Sequence, residues 1–89
     1  MLSKKIEIVN KLGLHARASS KLVELANKFS ATITIQREVR MANAKSIMTV
    51  MMLAANKGTE ITITTDGADE ELAMTAITDL INNKFGELE

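Results

Sequence analysis

Apolar residues recur along this chain with two alternating periods. Ile6 and Ile8 alternate with Lys5 and Glu7, so residues 2–9 read as a strand with one buried face. Asn10-Lys11-Leu12-Gly13 then turns the chain. Beyond it the spacing lengthens: Ala18, Leu22, Leu25, Ala26 and Phe29 recur at three and four, which predicts a helix over residues 16–28. Lys21, Glu24 and Lys28 fall on its wet side, Glu24 and Lys28 as a favourable i, i+4 pair. Residues 31–36 alternate again and are β-branched, giving a second strand; Arg37-Glu38 turns into a short third strand containing Val39 and Met41.

Ser46 suits a helix N-cap, and Ile47, Val50, Met51 and Ala54 follow at helical spacing, so a short helix ends before Asn56-Lys57-Gly58. A fourth strand covers residues 59–65, with Ile61 and Ile63 on one face, and Asp66-Gly67 closes it. Asp69 is placed to cap a third helix with Glu70 and Glu71 in its positive first turn. Leu72, Ala73, Ala76, Ile77, Leu80 and Ile81 make that helix's buried face, and Lys84 and Gly86 mark its end. The order is βαββαβα. Three amphipathic helices over strands that bury one face make a two-layer α+β sandwich, and 89 residues without linker or repeat are one domain, 1–89.

Composition removes several classes of function. Aromatics are 2% of the chain, Phe29 and Phe85 alone, and both fall on core-like positions, so base stacking has no platform and nucleic acid is not the expected partner. There is no cysteine and a single histidine, so a metal site would have to surround one imidazole with carboxylates; no metal and no cofactor is expected. No stretch approaches the length of a membrane span, and residues 1–7 lack the apolar run of a signal peptide, so the expected location is the cytoplasm, without membrane insertion. Net charge is zero but unevenly spread: residues 1–45 carry 9 Lys/Arg against 3 Asp/Glu, and residues 46–89 carry 2 against 8. Such a split commonly means two solvated faces that cancel. Alternatively Arg17, Lys21 and Lys45 form a basic rim near His15 that steers an acidic partner.

His15 lies where strand period gives way to helix period, at or just before a helix N-terminus. The first N–H groups there have no intrahelical partner and the dipole is positive, so an anion is welcome. Imidazole is largely neutral and nucleophilic at cell pH, and Arg17 offers a fork of donors two residues on. These residues suit a histidine that accepts a phosphoryl group; the plainer alternative is a solvated surface side chain.

Gly13-Leu14-His15-Ala16-Arg17 closely resembles the active-site signature of the HPr family, the histidine-containing phosphocarriers of the bacterial phosphoenolpyruvate:sugar phosphotransferase system. Asn43-Ala44-Lys45-Ser46-Ile47-Met48-Thr49-Val50-Met51-Met52-Leu53 is similar to that family's regulatory-serine segment, at the family's spacing. Two positions depart from the pattern. Ala18 stands where the family commonly has proline, and Thr49 where many relatives with the regulatory serine have glycine.

The resemblance implies an antiparallel sheet of order 1-4-2-3 with the three helices on one face and the other face open. It implies that His15 takes a phosphoryl group from enzyme I and gives it to enzyme IIA domains in sugar uptake, a carrier and not an enzyme. Arg17 and the Ala16 and Arg17 backbone N–H groups would hold the phosphate, and the acceptor atom would be the ring nitrogen facing the helix N-terminus. Leu14, Lys21, Lys45, Ile47, Met48, Met51 and Met52 would meet partners, and an HPr kinase/phosphorylase would act on Ser46. A monomer is expected. A nitrogen-branch paralogue and a non-catalytic regulatory binding module remain as alternatives.

Overall fold

The computed structural model describes residues 1–88. It contains β1 (Leu2–Glu7), α1 (Ala16–Ala26), β2 (Thr32–Arg37), β3 (Arg40–Asn43), α2 (Ile47–Met52), β4 (Glu60–Asp66), α3 (Glu70–Asn82) and a 3₁₀ turn at Lys84–Gly86. The sheet runs β1-β4-β2-β3 with every pair antiparallel, as the resemblance implied, and the three helices cover one face.

The register explains which side is buried. Ile6 opposes Ile61 and Ile35 opposes Ile63, so the isoleucines of neighbouring strands share the helix-facing side. Ile33, Ile35, Ile61 and Ile63 are buried there, each contributing roughly 1.5–3 kcal/mol by leaving water. Thr32, Thr34, Thr62 and Thr64 take the alternate, open face, where the Ser3 and Thr64 hydroxyls meet at 2.9 Å. Leu22 and Ala26 of α1, Val50 of α2, and Ala73, Ile77 and Ile81 of α3 close the core from the other side.

Several boundaries differ from the periodicity. β1 stops at Glu7, yet Ile8 stays beside β4's approach through Ile8 N–H to Thr59 O (2.9 Å) and Gly58 N–H to Ile8 O (2.8 Å). α1 ends at Ala26, because Lys28 and Phe29 N–H groups close shorter bonds to Leu25 and Ala26 carbonyls; Lys28 therefore lies beyond the helix that would pair it with Glu24. The β2–β3 turn is Glu38-Val39, with Glu38 at φ +55°, so Val39 is a 93% exposed turn residue and not part of the third strand. α2 ends at Met52 and Ala54 lies outside it at φ +51°.

α3 turns its inward stripe through Ala73, Met74, Ile77, Thr78 and Ile81. Leu72, expected inside, is 69% exposed, since it precedes Ala73 by about 100° of helical rotation. Buried Thr78 satisfies its hydroxyl on the Met74 carbonyl at 2.9 Å. Asp69 occupies the N-cap of α3 but makes no capping bond. Its carboxylate accepts instead from the Ser30 N–H (2.9 Å) and the Ala31 N–H (2.8 Å), tying the start of α3 to the start of β2. α3 ends at Asn82, and Lys84 and Phe85 follow, both at φ +57°, with the Phe85 ring fully buried.

Candidate phosphoryl-acceptor site

The loop ahead of α1 delivers His15 to the helix N-cap. Gly13 turns at φ +64°, and Asn10, wholly buried, donates its Nδ2 to the Gly13 carbonyl at 2.9 Å. Leu14 N–H then bonds the Ala55 carbonyl at 2.8 Å, fastening this loop to the segment after α2. The Leu14 side chain is buried in the core, so it supports the loop from below and is not on a partner-facing surface.

His15 is the N-cap of α1, extended at φ −75° and ψ 179°, and its carbonyl receives the first helical bond, from Ser19 N–H at 2.8 Å. Its side chain makes no capping bond. The N–H groups of Ala16, Arg17 and Ala18 precede that first bond and so have no intrahelical acceptor. They point out of the positive end of the helix, where an anion is held. Ala18, at the position where the resembled family commonly has proline, is a buried core residue at the start of α1.

The imidazole is partly exposed and its Nε2 meets Glu87 Oε2 at 2.5 Å. The other carboxylate oxygen, Oε1, accepts from Asn10 Nδ2 at 3.0 Å. Partial burial pushes the Glu87 carboxyl up, but the hydrogen bonds from Asn10 and His15 and the nearby charges of His15 and Lys21 outweigh it and hold the group below its ordinary value. Glu87 is accordingly ionised at neutral pH, and an ionised carboxylate only accepts hydrogen bonds. Whenever the ring is neutral, its one proton therefore belongs on Nε2, facing the carboxylate, and Nδ1 keeps its lone pair. The apolar pattern carries no sign of a role for Asn10 or Glu87. Nothing in linear spacing connects Glu87 with His15, 72 residues away, or with Asn10, 77 away, and the burial of Asn10 is decided only by how the loop packs.

His15, Arg17, Lys21, Leu12, Gly86 and Glu87 border one shallow depression. Arg17 is exposed, and its guanidinium has no partner among the described residues. Lys21 bonds the Phe85 carbonyl at 2.6 Å, at the wall of the same depression. Lys45 does not join them. Its Nζ bonds the Phe29 carbonyl at 2.7 Å, beyond the far end of an eleven-residue helix about 16 Å long, so the basic rim consists of Arg17 and Lys21 without Lys45.

Ser46 stands at the N-cap of α2, as expected, but its hydroxyl makes no capping bond. Thr49 takes that part of the turn, donating to the Asn43 carbonyl at 2.8 Å and the Ser46 carbonyl at 2.9 Å. Met48 and Met52 are about 70% exposed, at 71% and 69%, while Ile47 and Met51 are exposed at 38% and 43%. α2 thus buries only Val50 and turns an apolar surface outward.

Among the described residues, no three histidine, cysteine, aspartate or glutamate side chains converge as a metal cluster. No helix among them is long and apolar enough to cross a membrane. A family model described as "PTS HPr component phosphorylation site" matches residues 2–83. A phosphocarrier protein HPr of Neisseria meningitidis serogroup A is 56% identical over 87 residues, 98% of each chain. An HPr crystal structure from Thermoanaerobacter tengcongensis superposes with a TM-score of 0.96 at 44% identity over the whole of both chains. A second crystal structure, of an HPr dimer from the same organism, has a TM-score of 0.79 at 45% identity, covering 98% of this chain and all of that one.

Proposed function

The chain belongs to the HPr family of phosphotransferase-system phosphocarriers, carriers rather than enzymes, and from that premise we propose that His15 is the residue that carries the phosphoryl group. The observation that supports this most directly is the placement of the ring: Nε2 is engaged by Glu87, while the side chain makes no capping bond at a helix N-terminus with unused N–H donors, which leaves Nδ1 for the phosphoryl group. Nδ1 attacks phosphorus on phosphorylated enzyme I, and the donor nitrogen leaves with the bonding pair. The Ala16 and Arg17 N–H groups and the Arg17 guanidinium hold the phosphate oxygens. Donors already in place stabilise the group equally in either direction, so His15 passes it on to an enzyme IIA domain in sugar uptake.

Ile47, Met48, Met51 and Met52 form the partner surface, flexible apolar side chains suited to docking on several partners in turn. Lys21 and Arg17 supply positive charge at the site itself. Ser46 is the position on which an HPr kinase/phosphorylase acts to weaken docking, lying immediately before that surface. The chain works in the cytoplasm as one domain over residues 1–89, and as a monomer, since a carrier presents one histidine first to a donor and then to an acceptor. Light scattering of the purified protein distinguishes this from the dimer seen for its relative.

The test is incubation with phosphoenolpyruvate and a purified enzyme I, followed by intact-mass measurement. The expected result is gain of one acid-labile phosphoryl group that the His15→Ala variant does not gain. No gain by the wild type, or an equal gain by the variant, overturns the assignment.

A further inference from the structure

The segment after α3 returns to the N-terminus of α1 by an unusual route. Lys84 and Phe85 both adopt left-handed backbone, which L side chains rarely do, and a fully buried Phe85 ring anchors the turn. Lys21 of α1 bonds the Phe85 carbonyl at 2.6 Å, so the turn is fastened from both sides. From this anchor the chain places Glu87 with one carboxylate oxygen on His15 Nε2 (2.5 Å) and the other on Asn10 Nδ2 (3.0 Å). Asn10 is itself buried and held to the Gly13 carbonyl (2.9 Å), so the carboxylate is clamped between a fixed donor and the imidazole.

We propose that Glu87, oriented by Asn10, is a positioning residue for phosphoryl transfer: it keeps the ring proton on Nε2, leaves Nδ1 as nucleophile, and faces the positive charge the ring acquires. The proposal rests on His15 being the phosphoryl acceptor. As the new P–Nδ1 bond forms from the Nδ1 lone pair, the bond from phosphorus to the donor nitrogen breaks and its electron pair departs with the donor. No proton leaves Nε2. The imidazole ring therefore becomes cationic while bonded to the transferred group, and the Glu87 carboxylate lies against its N–H. A carboxylate behind a reacting histidine acts in this way, through tautomer and ring charge, without touching the transferred group. An ordinary surface ion pair would do none of this.

Asn10 makes the test sharp. In Glu87→Gln the Asn10 N–H faces the place of Oε1, so the new carbonyl turns to Asn10 and the new NH₂ turns to Nε2. A donor opposite Nε2 favours the proton on Nδ1, the atom that must attack. Glu87→Ala removes the acceptor without installing a donor, leaving Nε2 to water. The expected order of single-turnover phosphorylation rates, with phosphoenolpyruvate and enzyme I, is wild type, then E87A, then E87Q. The E87Q loss is about 10- to 100-fold at unchanged KM for phosphorylated enzyme I. Imidazole ¹⁵N chemical shifts of E87Q should move towards the Nδ1–H form, and the charge-matched variant E71Q on the exposed face of α3 should match wild type in both measurements. Wild-type rate and ring shifts in E87Q, or an equal rate loss in E71Q, would overturn the role of Glu87. If the wild type gains no phosphohistidine, the reading beneath the proposal is what fails.

Discussion

Gly13 lies so close to Ala55 that a Cβ added at Gly13 would stand 2.4 Å from the Ala55 carbonyl oxygen and 2.8 Å from the Cα of Asn56. That same Ala55 carbonyl accepts the Leu14 N–H, so the glycine sits where the site loop is pressed onto the chain after α2. Left-handed backbone and close approach both require glycine here. Gly13→Ala should cost about 2–4 kcal/mol, strain and overpacking together, whereas Gly58→Ala, with nothing within 4 Å of its Cβ, should cost only about 1–2 kcal/mol of left-handed backbone. Urea denaturation of both variants checks the difference; equal losses would show that the loop relaxes away from Ala55.

Arg17 is exposed and unpaired among the described residues, so its charge is available to a phosphate and idle in the fold. Arg17→Ala should reduce single-turnover transfer by about 1.5–3 kcal/mol, the worth of a charged hydrogen bond, and change stability by less than about 0.5 kcal/mol. Unchanged transfer kinetics would remove Arg17 from the phosphate site.

Met48, 71% exposed on α2, separates docking from folding. Met48→Glu should leave the melting curve within about 0.5 kcal/mol of wild type yet raise the KM for phosphorylated enzyme I by more than about 1 kcal/mol equivalent. A lowered melting temperature with normal KM would mean that the side chain supports α2 instead of meeting a partner.

Ser46 holds the N-cap position of α2 without bonding as a cap, so its structural and regulatory roles are tested by separate variants. Because its hydroxyl makes no capping bond, Ser46→Ala should lack the loss of about 1 kcal/mol typical of an N-cap. Lys45 is turned to the Phe29 carbonyl and does not wait beside Ser46 to neutralise a phosphate. Negative charge there is then felt by the partner: Ser46→Asp should raise the KM for phosphorylated enzyme I, and added salt should narrow the gap from wild type. Equal KM values at low salt would end the regulatory reading.

Asp69 predicts an acid dependence of stability. The Ser30 N–H bond, opposed by partial desolvation and reinforced by the Ala31 N–H, holds its carboxyl below the ordinary value of 3.8. A carboxyl depressed in the folded state stabilises the fold above its unfolded pKa, and that contribution disappears as pH falls through the folded value. Asp69→Asn should therefore lower the melting temperature at pH 7, with the gap from wild type closing well below pH 3.8. A gap that persists in acid would assign the loss to geometry and not to charge.

Alternation at Ile33, Ile35, Ile61 and Ile63 and the three- and four-residue spacing of Leu22, Ala26, Ile77 and Ile81 were enough to determine the elements, their order and most of the core, because those periods follow from local backbone geometry. The junction of the two periods likewise places His15 at a helix N-terminus, where it stands as the N-cap of α1. Local pattern could not say how polar side chains choose among acceptors that folding brings near. Asp69 and Ser46 were in capping positions by sequence, yet Asp69 turned to β2 and Thr49 took the bonds near Ser46. Lys45 went to Phe29, Leu14 into the core, and Leu72 into solvent, each decided by where neighbouring elements pack. The Glu87–His15 contact is the clearest case. Its two residues are 72 apart, and they meet only because Phe85 is buried and the turn around it points the end of the chain back at α1.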